Sequence, residues 1–165
     1  MVRRREDGRK GARAVALYGL LIALAFIFSY VEAMIPVPVP IPGVKLGLAN
    51  LVNVVGLYTV GAAGTAAVAL VRIVLVGFTF SNPGSMLYAL AGGIFSLAVM
   101  IAAKKYKWFS EIGVSILGGI FHNIGQLTVA ALITGTGGDF SYLPVLLVAG
   151  VITGGVIGLL GGLVV

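Results

Sequence analysis

The 165-residue sequence contains no cysteine, a single histidine, a single tryptophan and five acidic side chains, and charged residues of either sign make up 10% of it. Without cysteine there is no disulfide framework, no thiolate chemistry and no Cys-ligated zinc or iron–sulfur centre. One histidine among scattered carboxylates supplies too few ligands for an obvious metal site. A phosphate-cradling Walker motif, a GxSxG elbow and a paired-carboxylate cluster are also missing, which removes P-loop ATP hydrolysis, serine-hydrolase chemistry and two-carboxylate glycoside hydrolysis. The chain is expected not to be an enzyme.

What is present in abundance is hydrophobic sequence: 59% of the residues, with a mean hydropathy of +1.13. Uncharged runs extend over 18 residues (Ala14 to Val31), 26 (Leu46 to Val71), 31 (Ile73 to Ala103), 27 (Ile112 to Gly138) and 26 (Phe140 to Val165). About 20 apolar residues suffice to cross a bilayer as a helix. These runs exclude a water-soluble enzyme and predict an all-α integral membrane protein.

The net charge of +6 would suit nucleic acid if it formed a surface patch, but its location argues otherwise. Arg3, Arg4, Arg5, Arg9, Lys10 and Arg13 face only Glu6 and Asp7 in the first 13 residues, and the other basic cluster is Lys104, Lys105 and Lys107. Basic ends beside apolar spans are what insertion topology requires without any nucleic-acid partner. The segment after the first apolar run, Phe28-Ser-Tyr-Val-Glu-Ala-Met-Ile-Pro36, offers no clear small-x-small cleavage site, so the run reads as a retained helix rather than a signal peptide.

Six transmembrane helices are predicted in one domain over 14–165, following a basic cytoplasmic segment over 1–13. The spans are placed at about 14–34, 44–60, 62–80, 85–103, 112–134 and 143–163. Alternating prolines from Pro36 to Pro42 forbid helix and end the first span. The Gly61 to Gly64 stretch allows a tight turn between two short or tilted spans, and Ser81-Asn-Pro-Gly84 is a strong turn signal. With six spans, the N-terminus and the lysine loop share a side carrying nine basic residues, against Lys45 alone opposite. The positive-inside rule then puts both termini in the cytoplasm.

Glycine recurs at positions 150, 154, 158 and 162, giving the last span a nearly bare face for close helix packing, within the molecule or with a partner. A second smooth face, Ala12, Ala16, Gly19 and Ala23, lies on the first span. Polar groups inside hydrocarbon cost several kcal/mol unless paired or hydrated, which makes them candidates for a binding site or pathway. Asn50 and Asn53 share a helix face and suit either a ligand or interhelical hydrogen bonds. Arg72 lies too deep for easy snorkelling and calls for Glu32, a hydrated cavity or an anionic ligand. His122, Asn123 and Gln126 form one polar stripe beside Gly125, either hydrogen-bonded core or ligand site. His122 as a proton relay would need a second titrating group, for which Glu32 is the plausible choice.

Three segments carry a resemblance to a known family: Lys45-Leu-Gly-Leu-Ala-Asn50-Leu-Val-Asn53, Asn82-Pro-Gly-Ser-Met-Leu-Tyr88 running on to Gly93, and Gly118-Gly-Ile-Phe-His122-Asn-Ile-Gly-Gln126-Leu. With six short spans, they resemble the Gx transporter family, also labelled heptaprenyl diphosphate synthase component I and related to the S components of energy-coupling factor transporters. Prenyl-chain synthases use DDxxD motifs to hold magnesium and diphosphate, whereas Asp7 and Asp139 are the only aspartates here. A non-catalytic role beside a separate prenyl diphosphate or quinone pathway enzyme is the alternative that the label leaves open.

The resemblance implies a small subunit of a prokaryotic plasma membrane that captures a vitamin-like or precursor molecule from outside, under the first loop, and delivers it by toppling. It implies a transmembrane coupling protein and two ATPase subunits as partners, with ATP used only by those partners and no covalently bound cofactor. Ala12 and Ala16 match the docking pair of such subunits. The expected site joins the proline loop as lid with Lys45 and Arg72 for negative charge, Glu32 nearby, and Asn50, Asn53, His122, Asn123 and Gln126 for directional hydrogen bonds. Cations outnumber anions in that set, so an anionic or aromatic ligand is expected.

Overall fold

The computed structural model describes the backbone of residues 2–35, 46–107, 109–135 and 137–165, and the side chains of these apart from 2–10 and 137–139. Six α-helices follow in order: α1 (Val2–Met34), α2 (Leu48–Thr59), α3 (Gly61–Thr79), α4 (Pro83–Lys105), α5 (Glu111–Thr134) and α6 (Leu143–Gly162), with a 3₁₀ segment over Gly137–Tyr142 before α6. No strand occurs among the described residues. The proline loop and Lys45 lie outside them.

Local chemistry explains most boundaries. Asn82 caps α4, its side chain accepting from the Ser85 N–H at 2.8 Å with Pro83 in the first turn, where the missing proline N–H costs nothing. Gly135 ends α5 in the left-handed conformation at φ 65°. Lys104 and Lys105 occupy the last turn of α4, where cations oppose the helix dipole. Lys104 also reaches sideways, its Nζ donating to the Leu57 carbonyl at 2.5 Å and lying 4.3 Å from the centre of the Tyr58 ring.

Five segments are long and apolar enough to cross a membrane: Gly11–Met34, Gly61–Thr79, Pro83–Lys105, Glu111–Thr134 and Phe140–Gly162. The second predicted span is the exception. Instead of running over 44–60, α2 has 12 residues, which at 1.5 Å per residue reach about 18 Å of the roughly 30 Å hydrocarbon core. Its start is set by Gly47, whose φ of 74° is a left-handed conformation that interrupts helix propagation. α1 is one helix from Val2 onward, running from the basic segment into the first apolar span.

The helices alternate in direction, so the ends of the bundle can be called upper and lower. The upper end carries the C-terminus of α1, the start of α2, the α3–α4 turn and the 3₁₀ segment. The lower end carries both termini, the α2–α3 turn and the lysine loop. α5 packs most extensively, against α6 and α4, while α1 leans on α2 and α3. Short α2 joins the two halves: Val52 belongs to a core with Leu21, Ala25 and Val68, and Val54 and Leu57 to a second core with Met100, Val114 and Ile157. Outward-facing Leu20, Ile27, Phe78, Ile94, Leu132 and Ile152 are exposed, as lipid-facing positions on spanning helices are.

The glycine row on α6 is internal at three of its four positions. A Cβ at Gly154 would lie 2.7 Å from the Ile116 Cα, one at Gly158 2.7 Å from the Ile112 Cα, and one at Gly150 3.0 Å from the Gly119 carbonyl carbon. These residues let α6 press its backbone against α5, which excludes them from a face for a partner protein. Gly162, by contrast, has nothing within 4 Å of its Cβ direction.

Candidate functional site: a polar cavity beneath the upper end

A cavity of about 410 Å³ opens between the helices toward the upper end, with lining residues from all six. Its volume falls in the range of small-molecule sites, roughly 300–1,000 Å³. Helix geometry produces it. α2 contributes Ala49, Asn50 and Asn53 from its first two turns, and the close approach of α5 and α6 brings Gly119 and Gly154 to the floor beside Thr153 and Ile157. Phe80, at the top of α3, forms part of the wall and is fixed by edge-on contacts with Phe26 and Tyr30 of α1, both at 5.4 Å between ring centres.

Of the residues expected from sequence, Glu32, Asn50, Asn53, Arg72, His122 and Asn123 line this one cavity. Gln126 does not. It lies one turn further along α5, its side chain against Gly92 of α4, where a Cβ would meet the Gln126 Cγ at 2.9 Å and the His122 Cε1 at 2.8 Å. Glycine at 92 is thus what admits both side chains to the α4–α5 contact. The polar stripe on α5 divides: Asn123 turns to α6 and donates through Nδ2 to the Leu146 carbonyl at 2.7 Å, His122 faces the cavity and α4, and Gln126 packs on α4. Lys45 falls outside the described residues. Ala12 and Ala16 lie far from the cavity, on the exposed lower part of α1 beyond the level of Tyr18, which packs on Gly64.

The charged pair is arranged less simply than a salt bridge. Arg72 Nη1 donates to Ser29 Oγ at 3.2 Å, and Ser29 in turn donates to the Ala25 carbonyl at 2.8 Å. Glu32, one helical turn above Ser29, accepts the Gly47 N–H through Oε1 at 2.6 Å, tying the top of α1 to the start of α2. Arg72 and Glu32 act on each other electrostatically, yet no ion pair joins them among the described residues. Arg72 Nε is buried without a hydrogen-bond partner among the described residues. So is Asn53 Oδ1, whose residue is 7% exposed and whose Nδ2 makes only a long 3.4 Å contact with Asn50 Oδ1.

Sequence reasoning missed Ser29, the hydrogen-bond partner of Arg72, although its spacing of three from Glu32 puts both on one helix face. It also missed the apolar walls, Ile73, Val76, Phe80 and Met86; in a chain this hydrophobic nothing marks those residues apart from lipid-facing ones. Among the described residues no group of three or more His, Asp or Glu side chains is placed to hold a metal ion.

Fold and cavity together define a polytopic helical membrane protein with a polar chamber inside its bundle. The chain belongs to the family described as heptaprenyl diphosphate synthase component I, whose model matches residues 21–164. The match takes in every expected cavity residue and begins after Ala12 and Ala16. No curated protein and no solved structure matches the chain.

Proposed function

We propose that this protein is the substrate-binding membrane subunit of an importer of the energy-coupling factor type, holding a small molecule in the cavity below its upper end. One observation carries the reading: a chamber of ligand size inside the bundle is lined by Arg72 and Asn53, whose buried Nε and Oδ1 atoms have no hydrogen-bond partner among the described residues. Such atoms cost about 1–3 kcal/mol each when left unpaired, and a bound solute with complementary groups offsets that cost. The resemblance to S components supports the same reading. ATP is then hydrolysed by separate subunits attached through a coupling protein, and the small residues Ala12 and Ala16 on exposed α1 are the docking positions. The upper end faces the exterior.

The test is native mass spectrometry with metabolite identification on gently purified protein, with Arg72→Ala and His122→Ala run in parallel. A stoichiometric small molecule held by the parent and weakened in both variants is expected. If the variants bind like the parent, the site lies elsewhere.

The second reading, a non-catalytic membrane partner of a prenyl diphosphate or quinone pathway enzyme, rests on the family description. The glycine row that would have served as its docking face is occupied by α5. A folded preparation that holds no small molecule, and whose melting temperature no candidate solute shifts, would favour it.

A further inference from the structure

We infer that the cavity selects a zwitterion with a single carboxylate, held side-on by Arg72, and a protonated amine or N–H donor directed to Glu32 and Asn53. This rests on the ligand-binding reading above and narrows it to a chemical class. The guanidinium presents its donors in a fixed plane, and Ser29 takes Nη1. What is left is the edge formed by Nε and Nη2, two parallel N–H groups that match the two oxygens of one carboxylate. Nε on that edge has no partner among the described residues.

Charge arithmetic separates the candidates. Arg72 and Glu32 are the charged side chains among the described lining residues, and they are not joined as an ion pair. A diphosphate would bring two or more negative charges to a described lining whose charges are one guanidinium and one carboxylate, in a low-dielectric chamber where uncompensated charge is costly. A zwitterion adds no net charge to the described lining, where Arg72 and Glu32 balance. Its positive or N–H end suits two acceptors of the lining residues, the Glu32 carboxylate and Asn53 Oδ1, neither of which a simple anion can use. The apolar wall of Ile73, Val76 and Phe80 accommodates a hydrocarbon or ring substituent.

The test uses the full chain in detergent or nanodiscs, equilibrated with three equimolar pools: apolar α-amino acids, the matching carboxylic acids without the amine, and prenyl or aryl phosphates and diphosphates. Native mass spectrometry reads what is retained, and any endogenous ligand is extracted and identified beside it. Retention of a zwitterion at one per chain, with affinity weakened by about tenfold or more in both Arg72→Lys and Glu32→Gln, is the expected result. Arg72→Lys keeps the buried charge but loses the two-pronged edge, and Glu32→Gln keeps an oxygen for the Gly47 N–H that ties α1 to α2; a cooperative melt of each variant checks that the bundle is intact. Preferred retention of an amine-free carboxylic acid, a phosphate, a diphosphate or a neutral solute overturns this inference and leaves the binding-subunit reading standing. Retention of nothing, endogenous or added, by a protein with a cooperative melt overturns both.

Discussion

Asn53 illustrates how a single residue separates a structural role from a binding role. Its amide is almost fully buried, and the Oδ1 has no partner among the described residues, so it contributes little to stability and carries a desolvation cost of about 1–3 kcal/mol. Asn53→Ala is therefore expected to change stability by less than about 1 kcal/mol while weakening ligand binding by about tenfold. A thermal melt and a binding isotherm on the same preparation check both halves. A large loss of stability with unchanged affinity would make Asn53 a structural residue. The candidate residues themselves were legible in the sequence because a polar group in an apolar run is conspicuous. Their hydrogen-bond partners were not: that Arg72 would donate to Ser29 and Glu32 would accept from Gly47 depends on how α1, α2 and α3 lean together.

At the scale of elements, the α5–α6 contact is the most tightly constrained. A side chain at Gly154 would enter the backbone of α5, 2.7 Å from the Ile116 Cα and 2.8 Å from the Ser115 oxygen. Backbone cannot step aside as a flexible side chain can, so Gly154→Leu is expected to cost at least about 1–3 kcal/mol and to lower the melting temperature or prevent folding. Gly162→Leu, eight residues later on the same helix, meets nothing and should shift stability by no more than about 0.5 kcal/mol. Comparing the two melts separates close helix packing from any general intolerance of bulk on α6. The same contact puts Gly154 at the cavity floor, so packing and site are built from one row of glycines. The four-residue repeat was visible in the sequence. Which helix it would face was not, because spacing fixes a face without naming its neighbour.

For the whole molecule, the strongest expectation concerns orientation. Both termini and the lysine loop lie at the lower end, and the cavity lies toward the upper end with Ser81 at its rim. Placing the basic end in the cytoplasm opens the cavity to the exterior, as an importer requires. The absence of cysteine makes this directly measurable. Ser81→Cys is expected to react with a membrane-impermeant maleimide on intact cells, and Lys105→Cys only after permeabilisation. The reverse pattern would put the cavity on the cytoplasmic side and end the import reading.

The sequence by itself determined that the chain is a helical membrane protein, where most of its helices begin and end, and which side chains are out of place in hydrocarbon. Those features follow from local chemistry: run length, prolines, capping residues and isolated polar groups each act within a few residues. It did not determine that the second helix would be cut to 12 residues, because a left-handed Gly47 looks like any other glycine until its φ is known. Nor did it determine that six of the polar residues would share one chamber while Gln126 turned to α4. Those outcomes rest on helix tilt and rotation, which are set by how close Gly92, Gly119 and Gly154 let neighbouring helices approach, and only the tertiary structure decides that distance.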